Sequence, residues 1–259
     1  MTNRTISILG CGWLGKQLGA SLAASGYEVR GSTTTIGYAA ALTNAGIIPF
    51  VFRTGSISED VRPFFQTDVL IISLPQRTRA NKGGEYIQQI GDVITAAQRG
   101  DVRKIIMFST TSVYANLNRV VTEEDADPDH PVVQAEHIVQ RSGIANTIVR
   151  FGGLFGPGRE PGRFLAGRQD VSGATSPVNL IHADDCVGIV RRIIELNAWG
   201  HVLSACADDH PSKKDFYTRA AVAQGMEPPL FSDAVADHKI VSNAHLKAVL
   251  NYKMLHRLR

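Results

Sequence analysis

The sequence predicts an α/β protein built on a doubly wound parallel sheet, with a smaller lobe at its C-terminal end. Three observations predict it. Strand-like and helix-like segments alternate through residues 1–151 with short, glycine-bearing connections, an order that makes the strands run parallel. Two of those segments, VLIIS at 69–73 and KIIMFS at 104–109, are continuously apolar rather than alternating, as parallel strands covered on both faces are. The first strand then breaks into Gly10, Gly12 and Gly15, at G-x-G-x-x-G spacing, directly before a helical pattern. A chance glycine cluster lacks that strand–turn–helix context.

Taken in order, the strands are expected at Ile6–Leu9, Tyr27–Gly31, Ile47–Phe52, Val69–Ser73, Lys104–Ser109 and Thr147–Phe151. Helices are expected at Leu14–Ala24, Tyr38–Ala45, Tyr86–Arg99 and Val132–Arg141. Each glycine of the first turn has its own task. Gly10 permits the tight turn, Gly12 lets a diphosphate approach the backbone, and Gly15 removes a side chain where helix meets strand. The helix start then faces an anion with its N–H groups and the positive end of its dipole. A glycine-rich turn with no ligand is the plainer alternative. Beyond Phe151 the texture changes: Gly152, Gly153, Gly156, Pro157, Gly158, Pro161, Gly162, Gly167 and Gly173 crowd one segment. The expected division is therefore 1–151 for a dinucleotide-binding domain and 152–259 for an interleaved substrate lobe that is not an independent domain.

Composition excludes several classes. A chain of 259 residues with 44% hydrophobic and 20% charged residues is ordinary for a globular enzyme. Its formal net charge of +3 is too small to argue for nucleic acid, and the basic residues are scattered. No apolar run approaches the roughly 20 residues of a membrane span, and the first apolar residues already belong to a strand rather than a signal peptide. Cys11, Cys186 and Cys206 are odd in number and lack metal-ligand spacing. No metal is expected, and the simplest location is a reducing cytoplasm. Cys11, inside the turn, reads either as an oxidation-sensitive thiol or as a small residue that fits.

In an open parallel sheet, ligands bind beyond the carboxyl ends of the strands at the switch point. That rule selects Gly10, Gly12, Trp13, Leu14 and Gly15 after the first strand, and Ser32, Thr33 and Thr34 after the second. It also selects Leu74 and Pro75 after the fourth, Thr110 after the fifth, and Gly152 and Gly153 after the sixth. The second strand ends in EVRGSTTT, with no carboxylate at its tip. An NAD site usually places Asp or Glu there, whereas hydroxyls and an Arg donate to a 2′-phosphate. The expected cofactor is thus NADP(H) in preference to NAD(H), with Arg30 either a donor or a structural residue lying along the strand. FSTTSVYAN at 108–116 is the second chemical signal, four consecutive hydroxyl residues closing a buried strand. Local hydrogen bonding within the turn is the alternative explanation.

These segments together resemble the NAD-dependent epimerase/dehydratase family of the extended and atypical short-chain dehydrogenase/reductases, whose fold is Rossmann-type. The resemblance rests on GCGWLG, on KIIMFSTTSVYAN, on RFGGLFGPGR, on VNLIHADDCVGIV and on VSNAHLKAVLNY, and runs over most of the chain. Length and Trp13 look most like the bacterial subgroup of nucleoside-diphosphate-sugar epimerase-like proteins. The resemblance implies that Thr110 holds the reacting oxygen of a substrate and that Gly152 and Gly153 lie under a nicotinamide. It also implies that His182 and Asp185 secure the lobe internally. Arg159 would either meet a substrate phosphate or stay solvated. A homodimer built from helices 86–99 and 132–141 is implied as well.

One departure matters. Redox members use Y-x-x-x-K, the Lys lowering the Tyr pKa for proton exchange. Tyr27, Tyr38, Tyr86, Tyr114, Tyr217 and Tyr252 are followed four residues on by Gly31, Leu42, Ile90, Asn118, Ala221 and His256. Anchoring the helix on QAEHIV, where the family has K-x-x-A-E, puts Pro128 and Val132 at the Tyr and Lys positions. Losing a general acid costs a factor of about 10²–10⁴ in rate, or roughly 3–5 kcal/mol. Tyr114, Asp129, His130, Glu136 and His137 are the available substitutes, with Tyr114 joining Thr110 as the candidate catalytic pair. Two functions therefore compete. One is an oxidoreductase, epimerase or dehydratase acting on a small polar substrate, with nucleotide-linked sugars among the candidates. The other is a dinucleotide-sensing regulatory protein with weak or no catalysis.

Overall fold

The computed structural model describes residues 4–76 and 83–258. Its central sheet has seven strands: β1 (Thr5–Leu9), β2 (Glu28–Thr33), β3 (Ile48–Val51), β4 (Val69–Ile72), β5 (Lys104–Thr110), β7 (Ala145–Phe151) and β10 (Val202–Ala205). Their spatial order is β10-β7-β5-β4-β1-β2-β3, and β3–β2, β2–β1, β1–β4 and β4–β5 pair in parallel. The expected doubly wound α/β sheet is present. Order reverses between β1 and β4, so the crevice at their carboxyl ends is the switch point.

Sequence periodicity explains the helices. α1 (Trp13–Ala24) turns Leu14, Leu18 and Leu22 into the core at a four-residue repeat, with Gly15 and Gly19 on the same face. In α4 (Gly83–Arg99) the buried residues Tyr86, Ile90, Val93, Ile94 and Ala97 form one stripe. α5 (Pro131–Gln140) begins with Pro at its first position, and the His130 Nδ1 accepts the Val132 N–H as its cap. The β3 edge exposes Ile48 and Val51 and carries Pro49, which a sheet tolerates at an edge. Expected boundaries shift in several places, with α4 starting at Gly83 and β7 at Ala145. β2 continues through Ser32 and Thr33, and the second expected helix contracts to α2 (Ala39–Thr43) behind a single 3-10 turn at Ile36–Tyr38. No helix among the described residues is long and apolar enough to cross a membrane.

Two compact units interleave along the chain. The first comprises Met1–Ser109, Pro128–Val149 and Val190–Val202; the second comprises Thr110–Asp127, Arg150–Ile189 and Leu203–Arg259. Short strand pairs that no periodicity announces lie in the second unit: β6 (Val120–Val121) with β11 (Ile240–Val241), and β8 (Gly153–Phe155) with β9 (Leu180–His182), both parallel. Its longer helices are α7 (Ala183–Leu196), which continues into the first unit, and α8 (Lys213–Ala223). Shorter helices are α3 (Arg62–Phe65) in the first unit and α6 (Gly162–Leu165) and α9 (Ala244–Leu250) in the second.

Candidate functional site

In the first unit the three glycines divide their work as the spacing requires. Gly10 has φ +87°, and a Cβ there would stand 2.5 Å from the Ser73 carbonyl oxygen at the end of β4. Any L residue would meet both a strained backbone and a clash. Gly15 packs α1 onto the sheet: its Cβ would lie 3.0 Å from the Gly10 oxygen and 3.3 Å from Ile8 Cγ2. Gly12 differs from both. It is exposed, it caps α1 with no side-chain hydrogen bond, and a Cβ on it would meet nothing within 4 Å. The first intrahelical bond runs from the Lys16 N–H to the Gly12 oxygen, 2.8 Å. Among the described residues, no atom beyond its chain neighbours stands within 4 Å of where a Gly12 Cβ would point, so the start of α1 is uncovered on that side.

What holds this loop is Ser32. Its hydroxyl accepts the Gly10 N–H at 2.8 Å, and its carbonyl accepts the Cys11 N–H at 2.8 Å. Ser32 is buried, so its hydroxyl serves the loop and is not presented at the strand tip. Thr33 Oγ1 accepts the Thr35 N–H, 3.1 Å, and Thr34 is exposed beside it. Arg30 takes the structural alternative. Its guanidinium pairs with Glu28 Oε1 at 2.6 Å and donates to the carbonyls of Pro63 and Gln66. Trp13 is half-buried and opens the helix, the Leu14 side chain goes into the core, Leu74 lies near Gly10, and Pro75 is exposed. Cys11 is a packed small residue: burial pushes its thiol up to about 12, and a Cβ on Gly31 would touch its sulfur. Such a thiol stays protonated and unreactive.

Where β5 ends, the Ser109 hydroxyl donates to Glu136 Oε1 on α5, and both are buried within the first unit. Glu136, a candidate proton donor by sequence, is thus a buried acceptor. Val132, at the position of the absent Lys, is fully buried.

The second unit begins at Thr110. Its Oγ1 accepts the Ser112 N–H, 3.1 Å, capping the turn Thr111–Val113. That bond uses an oxygen lone pair and leaves the hydroxyl proton for another acceptor. Tyr114 is different. Only 2% exposed, its hydroxyl pairs with Ser204 Oγ at 2.6 Å and accepts from Arg150 at 3.1 Å. Arg150 also lies over the ring, 5.3 Å from its centroid, and donates to the Glu123 carbonyl. Burial raises the phenol pKa, outweighing the opposing pull of Arg150. This packing gives Tyr114 a structural post without an exposed proton. Sequence reading missed Arg150, Ser204 and Glu123, whose partners are distant in the chain. Nothing local signals them.

Gly152 and Gly153 follow β7. A Cβ on Gly152 would stand 2.7 Å from both the Asn179 oxygen and Cys206 Sγ, and one on Gly153 would stand 2.5 Å from Leu180 Cδ2. Their N–H groups donate to Ala205 and Asn179 carbonyls. Packing inside the second unit therefore demands glycine at 152, against the Asn179 carbonyl, whereas the contact at Gly153 falls on the movable end of the Leu180 side chain. Asp185 does secure the lobe, accepting the Leu255 N–H at 2.7 Å, the His256 N–H at 3.1 Å and the Tyr252 hydroxyl at 3.2 Å. Arg159 is exposed.

No model of a known protein family matches the chain. Among curated proteins, it is 33% identical over 249 residues to Protein YeeZ of Escherichia coli K12, covering 91% of this chain and 89% of that protein. Among solved structures, it is similar to UDP-glucuronic acid 4-epimerase from Bacillus cereus in complex with NAD. The TM-score is 0.80 at 18% identity, over 98% of this chain and 94% of that one. A similar match is MoeE5 in complex with UDP-glucuronic acid and NAD, with TM-score 0.81 at 18% identity, over 98% and 95%. At such identities the structural likeness establishes the fold.

Proposed function

The chain belongs to the family of Protein YeeZ, and from that premise we propose that it binds a nicotinamide dinucleotide and acts as an epimerase, dehydratase or oxidoreductase on a small polar substrate. One observation carries the reading: α1 opens at Gly12 without a side-chain cap, toward space that a Cβ would not contest. Solved structures of this fold, a UDP-glucuronic acid 4-epimerase in complex with NAD and MoeE5 in complex with NAD and UDP-glucuronic acid, support a nucleotide-linked sugar as the substrate class.

A bound nicotinamide dinucleotide supplies reversible hydride transfer. The residues then take these roles. N–H groups in the first turn of α1 hold the diphosphate, and Ser32 keeps Gly10 and Cys11 in position around it. Thr33 and Thr34 meet the adenosine ribose. Because no carboxylate stands at that tip, a 2′-phosphate is not repelled, and NADP(H) is favoured over NAD(H) even with Arg30 withdrawn. Leu74 and Pro75 would flank the turn, and the resemblance would give Gly152 and Gly153 to the nicotinamide. Thr110, with its hydroxyl proton uncommitted, donates to the reacting oxygen of the substrate. Tyr114 stays outside the reaction. The chain lacks the Y-x-x-x-K pair of its redox cousins, so turnover is slow and the proton passes through water. A homodimer through α4 and α5, in a cytoplasmic setting, completes the reading.

Fluorescence titration of the purified chain with NADPH and NADH tests it. Binding of both, tighter for NADPH and lost in Gly12→Asp, is expected; tighter NADH binding removes the NADP(H) preference, and no binding of either removes the whole reading. Incubation with UDP-glucose or UDP-glucuronic acid, following absorbance and product, separates enzyme from sensor. Cofactor binding without turnover across such a panel would favour the regulatory protein instead.

A further inference from the structure

Three side chains of the second unit converge beside Asp185. His182 closes β9, Asp184 stands in the first turn of α7, and His256 comes from the segment beyond α9. Asp184 Oδ2 lies 2.8 Å from His256 Nε2 and 3.3 Å from His182 Nδ1. The two imidazoles stack, their centroids 3.7 Å apart at 24°. One donor atom from each residue falls within 4.8 Å of the other two. We propose that His182, Asp184 and His256 bind one divalent transition cation of the zinc class, through two imidazole nitrogens and one carboxylate oxygen.

The two carboxylate–imidazole distances fit the chemistry, and the stacked rings must splay for both lone pairs to face one ion. With ligands at roughly 2.0–2.2 Å and angles near tetrahedral or octahedral, neighbouring N and O donors sit about 2.9–3.4 Å apart. Both measured edges fall at or beside that range. Two imidazoles and a carboxylate also form a donor set that suits zinc and leaves a further position for water. Protonation states favour it as well. His182 Nδ1 accepts the Asp184 N–H, 3.1 Å, so that nitrogen carries a lone pair rather than a proton. Coordination exchanges the hydrogen bond at Nδ1 for a metal bond.

The surroundings hold His182 and the backbone that carries His256. Phe155 meets the His182 ring edge-on at 5.0 Å. Gly156, at φ +147°, brings its backbone so close that a Cβ there would lie 3.3 Å from His182 Nε2. Asp185 fixes the other side by gripping the N–H groups of Leu255 and His256. His182 is largely covered, whereas Asp184 and His256 are open to solvent, which gives the ion an entry path. A cation there would clip the C-terminal segment to the β9–α7 turn.

The test uses the full chain, stripped with EDTA and titrated with Zn²⁺ by calorimetry and with Co²⁺ by visible absorption. One equivalent of each is expected, with the d–d bands of low-coordinate cobalt. Affinity should fall roughly 100-fold or more in His256→Gln and in Asp184→Asn, each of which removes a ligand from a solvent-open position. His238→Gln, outside the cluster, should bind as the parent does. Zn²⁺ should also raise the Tm of the parent but not of His256→Gln. Absence of stoichiometric binding overturns the proposal. So does parent-like affinity in both ligand variants, or a cation held only between two copies of the chain. None of these outcomes depends on the dinucleotide reading.

Discussion

The turn after β1 and the turn after β5 are both short, both end buried strands and both were selected by sequence as ligand-contacting. They differ in what their residues do. In the first, the side-chain-free positions specify backbone geometry: Gly10 turns, Gly15 packs, and Gly12 opens the helix onto unclaimed space. In the second, most hydroxyls turn inward and only Thr110 keeps its proton. Ser109 goes to Glu136, Thr110 caps its own turn, and Tyr114 is locked by Ser204 and Arg150. Glycine spacing constrains a backbone, so its meaning survives folding; a hydroxyl takes whichever partner the fold supplies.

The sharpest way to break this contrast lies within the glycines. Gly10→Ala should lower stability by about 3 kcal/mol, since a positive φ and a clash with the Ser73 carbonyl act together. Gly12→Ala should change stability by less than about 1 kcal/mol yet weaken dinucleotide binding. Equal urea midpoints for the two variants would erase the division of labour. Next in size is Tyr114→Phe, expected to cost about 1–3 kcal/mol because Ser204 and Arg150 lose a buried partner. NADPH affinity in that variant should match the parent; a loss of affinity at unchanged stability would return Tyr114 to the site. Ser32→Ala should cost about 1 kcal/mol by stranding the Gly10 N–H. Affinities for NADPH and NADH should then drop together in parallel titrations, as expected if the hydroxyl holds the loop rather than reads the ribose. The smallest effect belongs to Arg30→Met. The ratio of the two affinities should move by less than about twofold, because the guanidinium is committed to Glu28 and to two carbonyls.

Much of the fold is legible because its signals are periodic or local. Leucines at 14, 18 and 22 declare the face of α1, and uninterrupted apolar runs declare β4 and β5. The strand pairs β6–β11 and β8–β9 escape because two or three residues hold no period, and their partners lie 27 to 120 positions away. Site residues follow the same rule. Ser32 sits 22 residues from the N–H it accepts, and Arg30 is captured by carbonyls at 63 and 66. Neither partner is visible from EVRGSTTT. The imidazole cluster is hidden for the same reason, since His256 meets Asp184 across 72 positions.

The Ser32 clamp has a practical corollary for redesign. Attempts to switch coenzyme preference commonly swap residues at the end of the second strand, and an acidic replacement at position 32 would place charge on the very atom that fastens the turn. Such a variant would bury a charge behind the turn before it could discriminate. Productive libraries would leave serine untouched and diversify the two threonines that follow it.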